Sequence, residues 1–249
     1  MSAIDGIYAI WYREFKVFTR EKSRIVAAII NPLMWFVIMG GGLGASVKIG
    51  NIGYQTFLFP GILVIPLSFT SIFYGAYLVW DRKIDFLKEV LVAPLSRTTI
   101  FIGKVLGGIT DSFFEVIILL VIGLFLGFHY PLANLIGILS ILFFAVITMV
   151  SFGLLIGSTM ESPEGFQLLS SFIVLPMLFL SGAFFPIDKL PVYLKIPNAI
   201  DPLTYAVDAL RGLLLGINHY SFATDLGVLV LYSMAMIIIG GFAFNRMKV

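Results

Sequence analysis

Apolar residues in this chain come in long uniform runs, and only one interruption near the middle is both short and densely charged. From Ile25 to Val47, 23 residues pass without a charge. At 1.5 Å of helical rise per residue, that run covers a hydrocarbon core of about 30 Å. Comparable runs cover Tyr54 to Trp80, Ile100 to Phe128, Leu132 to Met160, Phe166 to Phe185 and Leu226 to Phe244. A turn at His129, Tyr130 and Pro131 separates the third run from the fourth. The pattern predicts an all-α integral membrane protein with six transmembrane helices and both ends on one side. A transmembrane barrel is excluded, because its signal is alternation over about ten residues rather than uniform apolarity. Pro60 and Pro66 are expected to bend the second span. Asn31 and Pro32 fall early in the first, where a proline removes few backbone bonds.

Three stretches break the runs. Ile4, Ile7, Tyr8, Trp11, Phe15 and Phe18 recur at spacings of three and four, with Arg13, Lys16 and Arg20 on the other side. Residues 1–24 therefore read as an amphipathic helix at the membrane interface, or as a basic lead-in that orients the first span. Seven charges where an uninterrupted apolar core would be needed argue against a signal peptide. Between Asp81 and Thr99, Ile84, Leu87, Val90 and Leu91 keep helical spacing among Asp81, Arg82, Asp85, Lys88 and Glu89. Pro94 should end that helix near Val92, because the residue before a proline avoids the α region. Two spans can be joined by a few residues, so nearly twenty on an amphipathic helix imply a contact, with a partner or with lipid headgroups. Residues 182–219 are apolar but broken by Pro186, Pro191, Pro197 and Pro202. Gly182 to Asn198 read as a re-entrant pair of short helices dipping from the outer face, with an ordinary outer loop as the alternative, and Asp201 to Gly216 as a helix that follows before the sixth span.

Composition agrees and charge orients the chain. Hydrophobic residues make up 59% and charged residues 12%, against about 25% charged in soluble domains. Without cysteine there is neither a disulfide framework nor a thiolate metal site. Of sixteen Lys and Arg residues, twelve fall on the side of the termini and the central charged stretch. The positive-inside rule places that side in the cytoplasm. Nothing in a net charge of +2 points to nucleic acid.

Chemistry is sparse. Asp111 and Glu115 share one face of the third span; Glu115 is expected roughly 9 Å inside the core. They could line the inner mouth of a pathway or relay protons, and the plainer reading is pairing with Lys104 or snorkelling to the surface. Gly103 and Lys104 resemble a phosphate loop, but position 98 is Thr and Val105 follows the lysine, so the required glycine and hydroxyl are missing. His129 and His219 fall near outer ends of spans with no metal-ligand or catalytic set around them. Asp208 and Arg211, three residues apart, are placed for a structural ion pair. Gly123 with Gly127, and Gly153 with Gly157, are candidate close helix contacts.

The amphipathic N-terminus, the six spans, the FLKEVLVAPLSR stretch, and Pro202, Leu203, Thr204 and Tyr205 followed by Arg211 together resemble the permease subunits of ABC-2 type exporters. Among these the chain is most similar to drug-resistance permeases of the daunorubicin-exporter kind, and next to exporters of polysaccharides or lipid-linked glycans. The resemblance covers residues 1–249 as one transmembrane domain. It implies a coupling helix in residues 81–99, with Asp85, Phe86, Leu87, Lys88 and Glu89, and more weakly Arg13 and Lys16, touching a separate ATPase subunit. An apolar anchor such as Phe86 or Leu87 would fill a pocket while flanking charges set register. Phe184, Phe185 and Tyr193 would lie at an outer gate. ATP and magnesium would be bound by two copies of the partner, none by this chain, and two permease chains, expected as a homodimer, would enclose the pathway in the cytoplasmic membrane.

Overall fold

A computed structural model describes residues 2–44, 48–49 and 52–247. The expected end of the first span at Val47, and Lys248, lie outside the described residues. Among the described residues, six helices are long and apolar enough to cross a membrane: Ile25–Gly44, Tyr54–Lys83, Arg97–Phe125, Leu132–Thr159, Pro163–Leu180 and Phe222–Arg246. The second, third and fourth form the buried centre; the first, fifth and sixth leave most of their surface outside it. That division explains the even apolarity of the runs, since both the core side and the outer side of a peripheral span must avoid charge.

Of the two prolines expected to bend the second span, Pro60 sits inside unbroken helix and only Pro66 adjoins a break. The second span is helical over Tyr54–Pro66, then widens into a π-turn over Leu67–Ser71 before resuming at Gly75–Lys83. Pro66 leaves a carbonyl without its donor, and a π-turn is one way to absorb the break. Next to this break the second and fourth spans touch backbone to backbone. A Cβ on Gly75 would collide with the Gly153 carbonyl, and one on Gly157 would meet the Gly75 carbonyl at 2.5 Å. Gly153 and Gly157 thus make the close contact their spacing predicts. Gly123 and Gly127 do not act as a pair: Gly123 lies against Phe59 and Tyr130, whereas Gly127 ends the third span at φ +89°.

The N-terminal helix, Ala3–Arg20, begins with a reciprocal Ser2 and Asp5 cap, Asp5 N–H donating to Ser2 Oγ at 3.2 Å. It lies along the third span, where Gly103 allows Ile7 and Ile10 to approach and Gly107 allows Glu14 to do so. The packed side is therefore Gly6, Glu14 and Phe18, while Ile4 and Tyr8 stay exposed. This refines the two-sided pattern expected from sequence: Ile4 and Tyr8 of the apolar stripe point outward, Phe18 is buried, and the packed face also carries an acid, Glu14.

The second span ends at Lys83, the chain turns at Ile84 and Asp85, and a short helix covers Phe86–Val92 before Pro94. Asp85 takes a left-handed conformation, φ 59°, which Asp tolerates better than most residues. After the fifth span the chain makes a 3₁₀ turn at Ile187–Lys189, a helix at Val192–Ile200 and a helix at Pro202–Leu215. Of the two short helices expected between Gly182 and Asn198, the first is only a three-residue turn and the second is Val192–Ile200; the helix expected over Asp201 to Gly216 is Pro202–Leu215.

Candidate coupling site

Four charged side chains meet where the N-terminal helix, the second span and the third span converge. Arg13 forks onto Asp81, Nη2 to Oδ1 at 2.9 Å and Nη1 to Oδ2 at 3.1 Å, and Nη1 also donates to Glu14 Oε1 at 2.7 Å. Lys104 Nζ reaches Asp81 Oδ2 at 2.5 Å and Glu14 Oε1 at 3.1 Å. Two cations meet two anions, so the cluster is formally neutral. Glu14 and Lys104 are 4% and 3% exposed. Burial at this level is tolerable only because each charge faces an opposite one. Burial disfavours the charged form of Glu14, yet Lys104 and Arg13 outweigh it and hold the carboxyl below its ordinary range. Arg13 is likewise opposed by burial and pulled upward by Asp81 and Glu14.

A fifth participant is apolar. The Arg13 guanidinium sits over the Phe86 ring, 4.2 Å from its centroid, a cation–π contact that joins the ion cluster to the first residue of the short connecting helix. Leu87, the next residue, is fully buried against the bundle. The connecting helix is thus fastened on its inner side by Phe86 and Leu87. Its outer side presents Ile84, Asp85, Lys88, Glu89 and Val92, with Val92 85% exposed. Lys88 Nζ pairs with Asp85 Oδ1 at 2.8 Å across that face.

This placement corrects the expected anchor. Leu87 is inside its own chain and Phe86 is half-buried under Arg13, so the exposed large apolar side chains of this stretch are Ile84 and Val92. Arg13, expected at a partner surface, is engaged inside the chain, whereas Lys16 remains exposed beside the Tyr12 ring, at 5.3 Å. Lys104 pairs with Glu14 and Asp81 rather than with Glu115. Asp111 and Glu115 are both buried on the inward face of the third span, as an acid inside hydrocarbon requires. Sequence reasoning missed the cluster itself. Its trace was the pairing of Gly103 and Gly107 around Lys104, which marks one face of the third span for close helix approach.

At the other end of the bundle, the residues of the Pro Leu Thr Tyr stretch are scaffolding. Asp201 caps the helix Pro202–Leu215, its Oδ1 accepting from Leu203 N–H at 2.9 Å, with Pro202 in the first turn, where its missing N–H costs nothing. Leu203 is buried in the core. Thr204 Oγ1 donates to the Asn198 carbonyl at 2.8 Å, and Tyr205 OH donates to the Ala199 carbonyl at 2.7 Å. Arg211 Nη2 donates to the Gly182 carbonyl at 2.8 Å and its guanidinium lies 3.9 Å from the Phe57 ring centroid. The expected pair with Asp208 does not form, because Asp208 accepts the backbone N–H groups of His219 and Tyr220, at 2.8 and 2.7 Å. Phe184 is buried beside Trp35 and Phe179, whereas Phe185 and Tyr193 are exposed.

A family model described as ABC-2 type transporter matches residues 5–215. The chain is 30% identical over 238 residues to the ycf38 transport permease of Cyanophora paradoxa, which covers 93% of this chain and 81% of the relative. It is 27% identical over 242 residues to the inner membrane transport permease YadH of Escherichia coli K12, covering 94% and 92% of the two chains. Nodulation protein J of Rhizobium leguminosarum bv. viciae is 24% identical over 228 residues, covering 90% and 88%. With six apolar spans and the family match over most of its length, this chain is a transporter permease subunit and belongs to the ABC-2 type transporter family.

Proposed function

We propose that the chain is the membrane half of an ATP-driven exporter for a hydrophobic or amphiphilic substrate, with hydrolysis supplied by a separate ATPase subunit that grips the connecting helix. The observation that carries this reading is the two-sided attachment of Phe86–Val92. Its outer side offers Ile84, Lys88, Glu89 and Val92 to a partner, and its inner side is fastened through Phe86, Arg13 and Leu87 to two transmembrane spans and the N-terminal helix. A push on such a helix reaches the second span, the third span and the N-terminal helix together, because Asp81, Lys104 and Glu14 share one ion cluster. Rigid-body motion between two packed arrangements is the expected response.

Two copies of the chain would enclose the pathway as a homodimer, each docking one ATPase with its ATP and magnesium. The exposed apolar side of the fifth span, with Leu168, Phe172 and Leu175, supports such pairing. A groove of about 640 Å³ beside it, lined among others by Asn31, Phe73, Tyr77 and Gln167, is our candidate for the inner pathway. Asp111 and Glu115 lie deeper on the third span, and Phe185 and Tyr193 stand at the outer end. The excess of Lys and Arg beside the termini and the connecting helix supports cytoplasmic placement of that side, and the name of the Escherichia coli relative supports the cytoplasmic membrane. Co-purification with the ATPase, followed by substrate uptake into inverted proteoliposomes, tests the proposal. Uptake should require nucleotide and should be lost together with ATPase association in Val92→Asp and Glu89→Lys. Uptake driven by a proton gradient without nucleotide would contradict it.

A further inference from the structure

On the flank of the bundle, an apolar cleft of about 480 Å³ opens between the fourth, fifth and sixth spans and the helix Val192–Ile200. Its walls include Met149 and Phe152, Met177, Ile200, and Tyr232 and Met236, none of which lines the groove assigned above to the pathway. One acid, Asp201, reaches this cleft and is 5% exposed. Its two oxygens differ. Oδ1 accepts from Leu203 N–H at 2.9 Å, whereas Oδ2 has no hydrogen-bond partner among the described residues. The other polar groups lining the cleft offer it nothing, since Tyr232 OH donates to the Ile200 carbonyl at 2.6 Å and Thr148 Oγ1 lies 2.9 Å from the Phe144 carbonyl.

A buried acceptor without a donor is costly, and native structures rarely keep one without a use. Burial pushes the Asp201 carboxyl up to about 8, the same penalty seen from the proton's side. What would relieve it is a donor carrying positive charge, attached to an apolar body that fits the cleft. The volume lies within the range of small-molecule sites, about 300–1,000 Å³, and three methionines give walls that adapt to an alkyl chain.

We propose that this cleft binds a single-chain amphiphile bearing a primary amine, with the ammonium on Asp201 and the chain along Met149, Met177 and Met236. The site is a feature of the permease chain itself and does not depend on export or on the ATPase. The test uses the full chain in phosphatidylcholine nanodiscs, whose headgroups have no N–H to donate, with decylamine and decanol as probes. Decylamine should bind saturably, and Asp201→Asn, which keeps the helix cap, should weaken it roughly tenfold while leaving decanol unchanged, as expected for losing a charged hydrogen bond. Met177→Trp, which fills the cleft, should weaken both probes. A diazirine-bearing decylamine should label the peptides containing Met177 and Tyr232 in the unaltered chain, so the answer does not hang on any variant folding. Equal decylamine affinity in Asp201→Asn, or labelling confined to other spans, would overturn the proposal. Displacement of decylamine by phosphatidylethanolamine added to the nanodiscs would also overturn it, by assigning the cleft to a resident lipid.

Discussion

The two ends of the bundle bury polar side chains by different means. At the connecting-helix end, Arg13, Glu14, Asp81 and Lys104 satisfy one another as charges donated by three separate elements. At the opposite end, Asn198, Thr204, Tyr205, Asp208 and Arg211 mostly satisfy backbone groups at helix C-termini and in the connecting loops: the carbonyls of Leu180, Gly182, Asn198 and Ala199, and the N–H groups of His219 and Tyr220. Side chain to backbone bonds fix a loop in one shape. Ion pairs between elements can be exchanged as those elements move, provided the charges stay matched. On our proposal the first end transmits movement and the second resists it.

The sharpest way to break this comparison is to unbalance the ion cluster. Lys104→Met leaves Glu14 and Asp81 with Arg13 alone and should destabilise the chain by about 3–5 kcal/mol, the cost of breaking a buried pair. Adding Asp81→Asn should recover a substantial part of that loss; thermal unfolding of the purified permease in detergent reads both. A double variant no better than the single would show that Lys104 does not act through Asp81.

At the opposite end, Arg211→Gln should cost about 1–3 kcal/mol, since it removes a charged hydrogen bond to the Gly182 carbonyl without orphaning an opposite charge. Arg211→Lys should lose nearly as much, because an ammonium cannot keep both the Gly182 bond and the flat stack on Phe57. If Arg211→Gln proved as damaging as Lys104→Met, the distinction between the ends would fail.

Acid and base should separate the ends further, with opposite signs. Glu14 is held below its ordinary value of 4.5 when folded, so its contribution is present above that pH and is lost as pH falls through the folded value. Asp201 lies outside the spans and is pushed by burial from 3.8 to about 8, so the folded chain holds a proton that the unfolded chain has released. Its cost therefore grows as pH rises from 3.8 towards 8 and is complete above that. Unfolding temperatures measured across this window should show Asp201→Asn gaining on the unaltered chain as pH rises, with no gain at the acid end.

Much of this architecture was legible in the sequence, and what was not has a common physical cause. Uniform apolar runs gave the six spans, Pro94 gave the end of the helix at Val92, and the four prolines from Pro186 to Pro202 gave the broken segment before the sixth span. Each of those signals is local. Partner choice is not local: Lys104 has Glu115 eleven positions along its own helix, yet it takes Glu14 and Asp81 because Gly103 and Gly107 bring the N-terminal helix against that face. Asp208 stands at the right spacing for Arg211, but the backbone of His219 and Tyr220 claims it first. Leu87 and Val92 are both apolar positions of one amphipathic helix, and only tertiary packing decides that Leu87 turns inward.

The smallest structural effect should accompany the largest functional one. Glu89→Ala changes an exposed side chain and should alter stability by no more than about 0.5 kcal/mol, while weakening capture of the ATPase in a pull-down. The chain has no cysteine, so Val92→Cys supplies a single reactive thiol at the tip of the connecting helix. The most direct measurement is its labelling by a membrane-impermeant maleimide. Our account predicts rapid labelling in inverted vesicles, protection when the ATPase subunit is bound, and no labelling in right-side-out vesicles. Labelling from the outside, or labelling from the inside that the bound ATPase leaves unchanged, would contradict it.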